Sequence, residues 1–293
     1  MKVKALILAV LLLLMGAFST FGYFTMLNSA KEQNVFAYAD ESHTASIQMK
    51  LLSRGDDLDR KERETKLKLM TFNMHRGIDK NGRLDLGAIA EVITASDANI
   101  IALQEVERYS IRTGFQDQIK KLSEKTEMNY AYSKSTNILN GEYGNGLLSK
   151  YPIEEYKAID LPSYGEQRTV LRAIINVNGL RLVVYNTHLG LKAIEREEQL
   201  EFIMQMISEE TLEYILMGDL NTKINKLKMV TDTMKDSAQN SEKLQQSTFE
   251  EEGIQERIDY IFVSSNIKVV NYDVILSEAS DHYPVISEIV MGE

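Results

Sequence analysis

The spacing of apolar and polar positions divides the chain into an apolar opening, a charged stretch and a body in which short apolar runs alternate with amphipathic segments. Alternation over 67–72 predicts a strand that runs into a polar end, Asn73-Met74-His75-Arg76-Gly77. After an Asn81-Gly82 turn signal, the spacing of Leu86, Ile89, Val92 and Ile93 predicts a helix over 84–96. A buried strand is predicted over 98–103, ending in Gln104-Glu105, then a helix over 115–126 and strands over 129–133 and 145–149. Strands follow at 153–159, 169–177 and 180–187, the last two joined by an Asn178-Gly179 hairpin turn. A charged amphipathic helix is predicted over 192–207 and a helical polar region from the 220s to about 240, with strands at 257–263, 267–276 and 285–291.

Between those two helical regions lies 212–222, LEYILMGDLNT, around which the rest is arranged. Its apolar run, 214–217, ends at Gly218 and reads as a buried central strand. Side chains alternate along a strand, so Asp219 and Asn221 point the same way with Leu220 turned inward. Taken alone, Gly-Asp-x-Asn is equally good chemistry for an Asx turn. Continuous apolar strands imply sheets covered on both faces. The expectation is two packed sheets with helices on the outside, in one domain.

Lys2 and Lys4 precede an apolar stretch, 5–27, with no charge before Lys31. That is the pattern of an export signal or a membrane anchor. The stretch exceeds the roughly 20 residues that span a bilayer, while Ala37-Tyr38-Ala39 before Asp40 is an A-x-A-like cleavage site. The expected organisation is a signal peptide or N-terminal membrane anchor at 1–39, a charged linker at 40–66 and the folded body at 67–293. In either case the body lies outside the cytoplasm, secreted or membrane-anchored.

Composition narrows the classes. At 44% hydrophobic, the chain has ample material for a packed core. It has no Cys, which excludes a disulfide framework and a thiolate metal site. A net charge of −10 opposes wrapping long nucleic acid and suits a protein that holds divalent cations at carboxylates.

Six polar clusters stand at ends of apolar strands: Asn73; Glu105; Asn186-Thr187-His188; Asp219 with Asn221; Asp259; and Asp281-His282. Each alone has an ordinary explanation: a turn cap, a solvated glutamate, a hydrogen-bonded core histidine, an edge charge, a turn before Tyr283-Pro284. Polar residues placed repeatedly at strand ends instead converge on one end of a sheet.

The arrangement resembles the endonuclease/exonuclease/phosphatase superfamily, the fold of DNase I-like nucleases, neutral sphingomyelinases and inositol phosphatases. The matching text is TFNMHRG at 71–77, IIALQEVE at 100–107, GNGLLSKYPI at 144–153, VVYNTHLG at 183–190, ILMGDLNT at 215–222, RIDYIF at 257–262 and SDHYPV at 280–285, in the family's order. The resemblance implies an α/β fold, a four-layer α/β/β/α sandwich of two packed mixed β-sheets flanked by helices, with 67–293 as the catalytic domain of a divalent-metal phosphodiesterase or phosphatase. It implies Glu105 as the main Mg²⁺ ligand, with Asn73 beside it and Asp281 holding or approaching a metal; Mn²⁺ is the second candidate. Asp219 would orient or deprotonate the attacking water, with Asn221 positioning water and phosphate oxygen. His282 would bind the phosphate and Asp259 would pair with it. His188 would stabilise or protonate the leaving oxygen. Asn145 and Arg168 are implied as phosphate contacts, with a buried salt bridge as the other reading of Arg168.

The second histidine, His188, is typical of the DNase I-like, sphingomyelinase-like and inositol-phosphatase-like branches and less so of abasic-site endonucleases, whose basic DNA-binding faces are also missing. With nine Phe and no Trp, no aromatic cluster of the sphingomyelinase kind stands out. The expected substrate is a phosphoester of a lipid head group, an inositol phosphate or a nucleic acid. The alternatives are a secreted DNase I-like nuclease and a sphingomyelinase-like phospholipase. The N-terminal apolar segment would bring the chain to a membrane; no protein partner is inferred. A non-catalytic surface binding module on the same scaffold would have lost a catalytic residue, and none is missing.

Overall fold

The computed structural model describes residues 64–292, so the apolar segment, the cleavage site and most of the charged linker lie outside the described residues. Strand β1, Thr65–Asn73, shows how the body is built. Its alternate side chains enter two different cores: Leu67 and Leu69 pack between the two sheets, Met70 and Phe72 beneath helices. A strand buried on both faces must be apolar at successive positions, which is why these segments read as apolar runs.

The first six-stranded sheet comprises β1, β2 (Ile100–Arg108), β3 (Asn129–Ile138), β4 (Gly141–Ser149), β13 (Lys268–Val274) and β14 (Val285–Met291), in the order β13-β14-β1-β2-β4-β3. The second comprises β5 (Ile153–Asp160), β6 (Thr169–Val177), β7 (Leu180–His188), β8 (Glu213–Asp219), β9 (Lys235–Asp236) and β12 (Asp259–Val263), in the order β5-β6-β7-β8-β12-β9. Each sheet has one parallel pair at its centre, β1 with β2 and β7 with β8. Helices α1 (Leu86–Ser96) and α2 (Gln118–Thr126) cover the first sheet, burying Ile89, Ile93, Ile119 and Leu122. Helix α3 (Ala193–Ser208) and the single turn α4 (Lys228–Thr231) cover the second, burying Leu200, Ile203 and Val230. Helix, sheet, sheet, helix is the four-layer α/β sandwich expected.

Several boundaries differ from the sequence pattern for local reasons. Helices α1 and α2 begin later than predicted because Asp85 and Asp117 cap them, accepting from Ala88 N and Lys120 N. Strand β1 starts at Thr65, two residues inside the predicted linker, because Thr65 and Lys66 pair with Met291 and Val290. The region predicted helical up to about 240 is mostly irregular. After α4, Asp236 accepts from Ala238 N and pairs bidentately with Arg257, which fixes the chain as a short edge strand. The hairpin of β10 (Phe249–Glu251) and β11 (Ile254–Glu256) was not predicted, since its acidic sequence carries little apolar alternation.

The cross-sheet contact that sets the site is polar. Gln104 Nε2 on β2 donates to Asn186 Oδ1 on β7 at 2.7 Å, and Asn186 Nδ2 donates to Leu103 O at 3.0 Å and Gly146 O at 2.7 Å. These groups are fully buried and satisfy one another.

Candidate active site

The C-terminal ends of β1, β2, β7 and β8 open into one cleft of about 400 Å³, into which Glu105, Arg168, His188, Asp219, Asn221, Asp281 and His282 all project. A cavity of similar size, about 440 Å³, lies between β9 and β13 and holds none of these residues, so side chains rather than volume distinguish the cleft.

Asp219 is its hub. Gly218, at φ 146°, lets β8 run so close to β7 that an added Cβ would lie 1.9 Å from Thr187 O. The register then sets Asp219 opposite His188. Asp219 Oδ2 receives Asn73 Nδ2 at 3.0 Å and lies 3.5 Å from His188 Nε2 and 3.6 Å from His282 Nε2. Its other oxygen accepts the Asn221 backbone N–H at 2.9 Å, in the Asx geometry that the Gly-Asp-x-Asn text allows. Both sequence readings of that stretch therefore hold at once. Burial and then the charge of Asp259 raise the Asp219 pKa, against the opposing pull of His188, His282 and Asn73.

His282 Nδ1 lies 2.9 Å from Asp259 Oδ2, which also accepts from Thr248 Oγ1 at 2.7 Å. Burial disfavours the imidazolium, but Asp259, Asp219 and Asp281 outweigh it and lift His282 to about 10. His188 goes the other way. Burial pushes it down to about 3; Arg168 and His282 add to that push, and Asp219 only partly offsets it. At neutral pH the site thus pairs a charged histidine with a neutral one.

Glu105 has φ 57°, in the left-handed region that a non-glycine residue rarely adopts, at a shift in the β2–β4 register between Leu103 and Val106. Asn73 Nδ2 reaches Glu105 Oε1 at 3.2 Å as well as Asp219, and Asn73 Oδ1 accepts from His75 N at 3.1 Å. Arg76 stands 3.8 Å from Glu105, and His75 3.5 Å from Asp281. Ser280 Oγ binds Asn73 O at 2.8 Å and receives His282 N at 3.2 Å, joining the loop that carries Asp281 to the end of β1.

Asp219, Asp259 and His282 offer ligand atoms within 4.8 Å of one another. His282 Nδ1 is already spent on Asp259, so this trio is an acid–histidine pair beside a base rather than a cation cage. Glu105 and Asp281 line the same cleft and carry the hard carboxylate oxygens that suit a divalent cation of the Mg²⁺ kind, while Asn73 turns its Nδ2 to Glu105 and its Oδ1 to the His75 N–H.

Of the residues singled out from sequence, Asn73, Glu105, His188, Asp219, Asp259 and His282 form one contact network, and Asn221, Asp281 and Arg168 line the same cleft. Arg168 pairs with an exposed carboxylate, one guanidinium nitrogen lying 3.3 Å from Glu166, and its Nη1 is buried without a hydrogen-bond partner. Asn145 stands apart, buried behind the cleft with its amide on Thr169 O at 3.0 Å. Sequence reasoning missed Thr248 and Phe249, whose ring lies 4.8 Å from His282, and gave Ser280 no role although it opens SDHYPV. Arg76 was visible within TFNMHRG, whereas nothing in the sequence marks Thr248.

Fold and site together define a DNase I-like sandwich of the kind on which phosphoester hydrolases are built. Residues 70–282 match the model of the Endonuclease/Exonuclease/phosphatase family, and the chain belongs to that family. It is 29% identical over 167 residues to "Uncharacterized protein YbhP" of Escherichia coli (strain K12), a match that covers 53% of this chain and 66% of that relative. Among solved structures it is similar to an endonuclease/exonuclease/phosphatase from Beutenbergia cavernae DSM 12333, with TM-score 0.67, 23% identity, and 78% and 72% of the two chains covered. It is also similar to truncated Caenorhabditis elegans TDP2, with TM-score 0.62, 22% identity, and 77% and 98% covered.

Proposed function

We propose that the chain is a divalent-metal-dependent hydrolase of phosphoester bonds, exported or membrane-tethered, in which Asp219 activates the attacking water. The observation that carries this is the convergence on Asp219 Oδ2 of Asn73 at 3.0 Å, His188 at 3.5 Å and His282 at 3.6 Å, groups supplied by both sheets. A carboxylate whose pKa is raised by burial is a stronger base than an exposed one.

In the reaction the water oxygen bonds to phosphorus and its proton passes to Asp219. The bond from phosphorus to the leaving oxygen breaks, and that oxygen takes its proton from the His282 imidazolium, which Asp259 holds in place. Neutral His188 donates a hydrogen bond to the developing charge, and the unpartnered Arg168 Nη1 donates to a phosphoryl oxygen. No covalent nucleophile is needed. Mg²⁺, or Mn²⁺ in its place, held by Glu105 and Asp281 beside Asn73, would neutralise phosphoryl charge.

The test is turnover of bis(p-nitrophenyl) phosphate, p-nitrophenyl phosphate, DNA, RNA, inositol phosphates and phospholipids by the full chain with Mg²⁺. EDTA-sensitive hydrolysis that disappears in Asp219→Asn is expected. Absence of metal-dependent hydrolysis on all of them refutes the proposal. N-terminal sequencing of protein from culture medium and from membranes tests export and tethering.

A further inference from the structure

Thr248 touches both the acid of the acid–histidine pair and the loop that carries the histidine. It stands just before β10, is fully buried and does not line the cleft. Its hydroxyl reaches Asp259 Oδ2 at 2.7 Å, and its carbonyl oxygen accepts the N–H of Tyr283, next to His282, at 2.6 Å. The residues after it are laced to the same loop. Phe249 pairs with His282 as an antiparallel bridge, and Glu250 N donates to Asp281 O at 2.9 Å. The histidine loop is thereby fixed to the backbone of Thr248, and the hydroxyl sets where Asp259 lies against it.

The direction of that hydroxyl is forced. Its oxygen also accepts Ile258 N at 3.1 Å and Asp259 N at 3.0 Å. A threonine hydroxyl has one proton and two lone pairs. Both backbone groups can only donate, so the proton is left with Asp259 Oδ2. That oxygen also meets His282 Nδ1, while Asp259 Oδ1 is buried without a partner. The carboxylate is therefore held through one oxygen. Without the hydroxyl, two buried N–H groups lose their acceptor, and leaving them unpaired is costly. The Asp259 carboxylate, 2.7 Å from the hydroxyl's place, is at hand to serve them and would be drawn off His282.

We infer that Thr248 is a positioning residue, whose hydroxyl holds the Asp259 carboxylate where it orients His282 toward the leaving oxygen; this rests on the hydrolase proposed above. Thr248 acts through Asp259 and not on the substrate.

The test is a set of variants of the full chain, assayed on bis(p-nitrophenyl) phosphate with Mg²⁺. Thr248→Val keeps the shape and removes the hydroxyl. It is expected to lower kcat by roughly 10- to 100-fold with little change in KM. Thr248→Ser is expected to recover most of that loss. A threonine that merely supports its loop would act independently of Asp259, and a double-mutant cycle with Asp259→Asn separates the two cases. Added to Asp259→Asn, Thr248→Val is expected to cost less than about twofold. Additive losses overturn the inference, as does a Thr248→Ser variant no better than Thr248→Val. If Thr248→Val does not fold, Thr248→Cys, whose thiol is a weak donor and acceptor, takes its place in the cycle with the same outcomes. A crystal structure of the folded variant decides without turnover: Asp259 is expected to have left His282 for the two N–H groups, and an unchanged 2.9 Å contact overturns the inference. A chain that hydrolyses nothing refutes the hydrolase, yet that structure still shows whether Thr248 places Asp259.

Discussion

His282 Nδ1, on the loop leading into β14 of the first sheet, and Asp259 Oδ2, on the first residue of β12 in the second, meet at 2.9 Å. Asp259 acts on two groups at once: its charge lifts His282 and, more weakly than burial, raises Asp219. Asp259→Asn is therefore expected to move both limbs of the pH profile of kcat/KM to lower pH. The alkaline limb falls from about 10, and the acid limb moves back toward the ordinary aspartate value of 3.8. A profile that moves on one limb only would break the link.

The same shift sets a stability window. A histidine whose folded pKa is raised stabilises the fold fully below its unfolded value of 6.5 and loses that contribution as pH rises through about 10. In metal-free buffer, the Tm difference between the wild type and His282→Gln is expected to shrink between those two values. Thermal denaturation at successive pH values measures it.

Asp219→Asn is expected to separate function from stability. Loss of the base lowers kcat by roughly 10²–10⁴. Burial of a carboxylate with a raised pKa works against folding at neutral pH, and the single carbonyl oxygen of asparagine still accepts one of the two donors, Asn73 Nδ2 or the Asn221 N–H, that the two Asp219 oxygens now serve. The metal-free variant should therefore melt higher, by roughly 2–4 °C for each kcal/mol relieved.

Glu105→Gln keeps the hydrogen bond to Asn73 and removes a hard anionic ligand. Calorimetric titration of the metal-free protein with Mn²⁺ is expected to show affinity about tenfold weaker or worse. Undiminished affinity would move the cation elsewhere.

Arg168 has one nitrogen on Glu166 and another buried without a partner. Arg168→Lys retains the charge but not the fork, so KM should rise more than kcat falls. Stabilisation of the fold by inorganic phosphate should shrink with it, as differential scanning fluorimetry would show.

How much of this was legible follows from what each residue does. Asp219 ends β8, Glu105 follows the apolar run of β2 and His282 stands just before β14, and a polar residue next to an apolar run is visible in a linear text. The four layers were legible because β1 and its neighbours are apolar on both faces. Thr248 acts through a single hydroxyl in a loop, which carries no pattern, and Ser280, inside SDHYPV, acts through one too. The β10–β11 hairpin is acidic and was passed over for want of alternation. Asn145 followed from its motif, yet its amide serves the backbone of β6.

The buried Gln104–Asn186 pair welds β2 to β7 directly beneath the cleft. Glu105 belongs to one leaf of the sandwich and Asp219 to the other. Neither leaf owns a working half, so a chain that has lost the grip of one leaf on the other has no graded remnant of chemistry. Turnover then becomes an all-or-none gauge of whether the two leaves are still clasped.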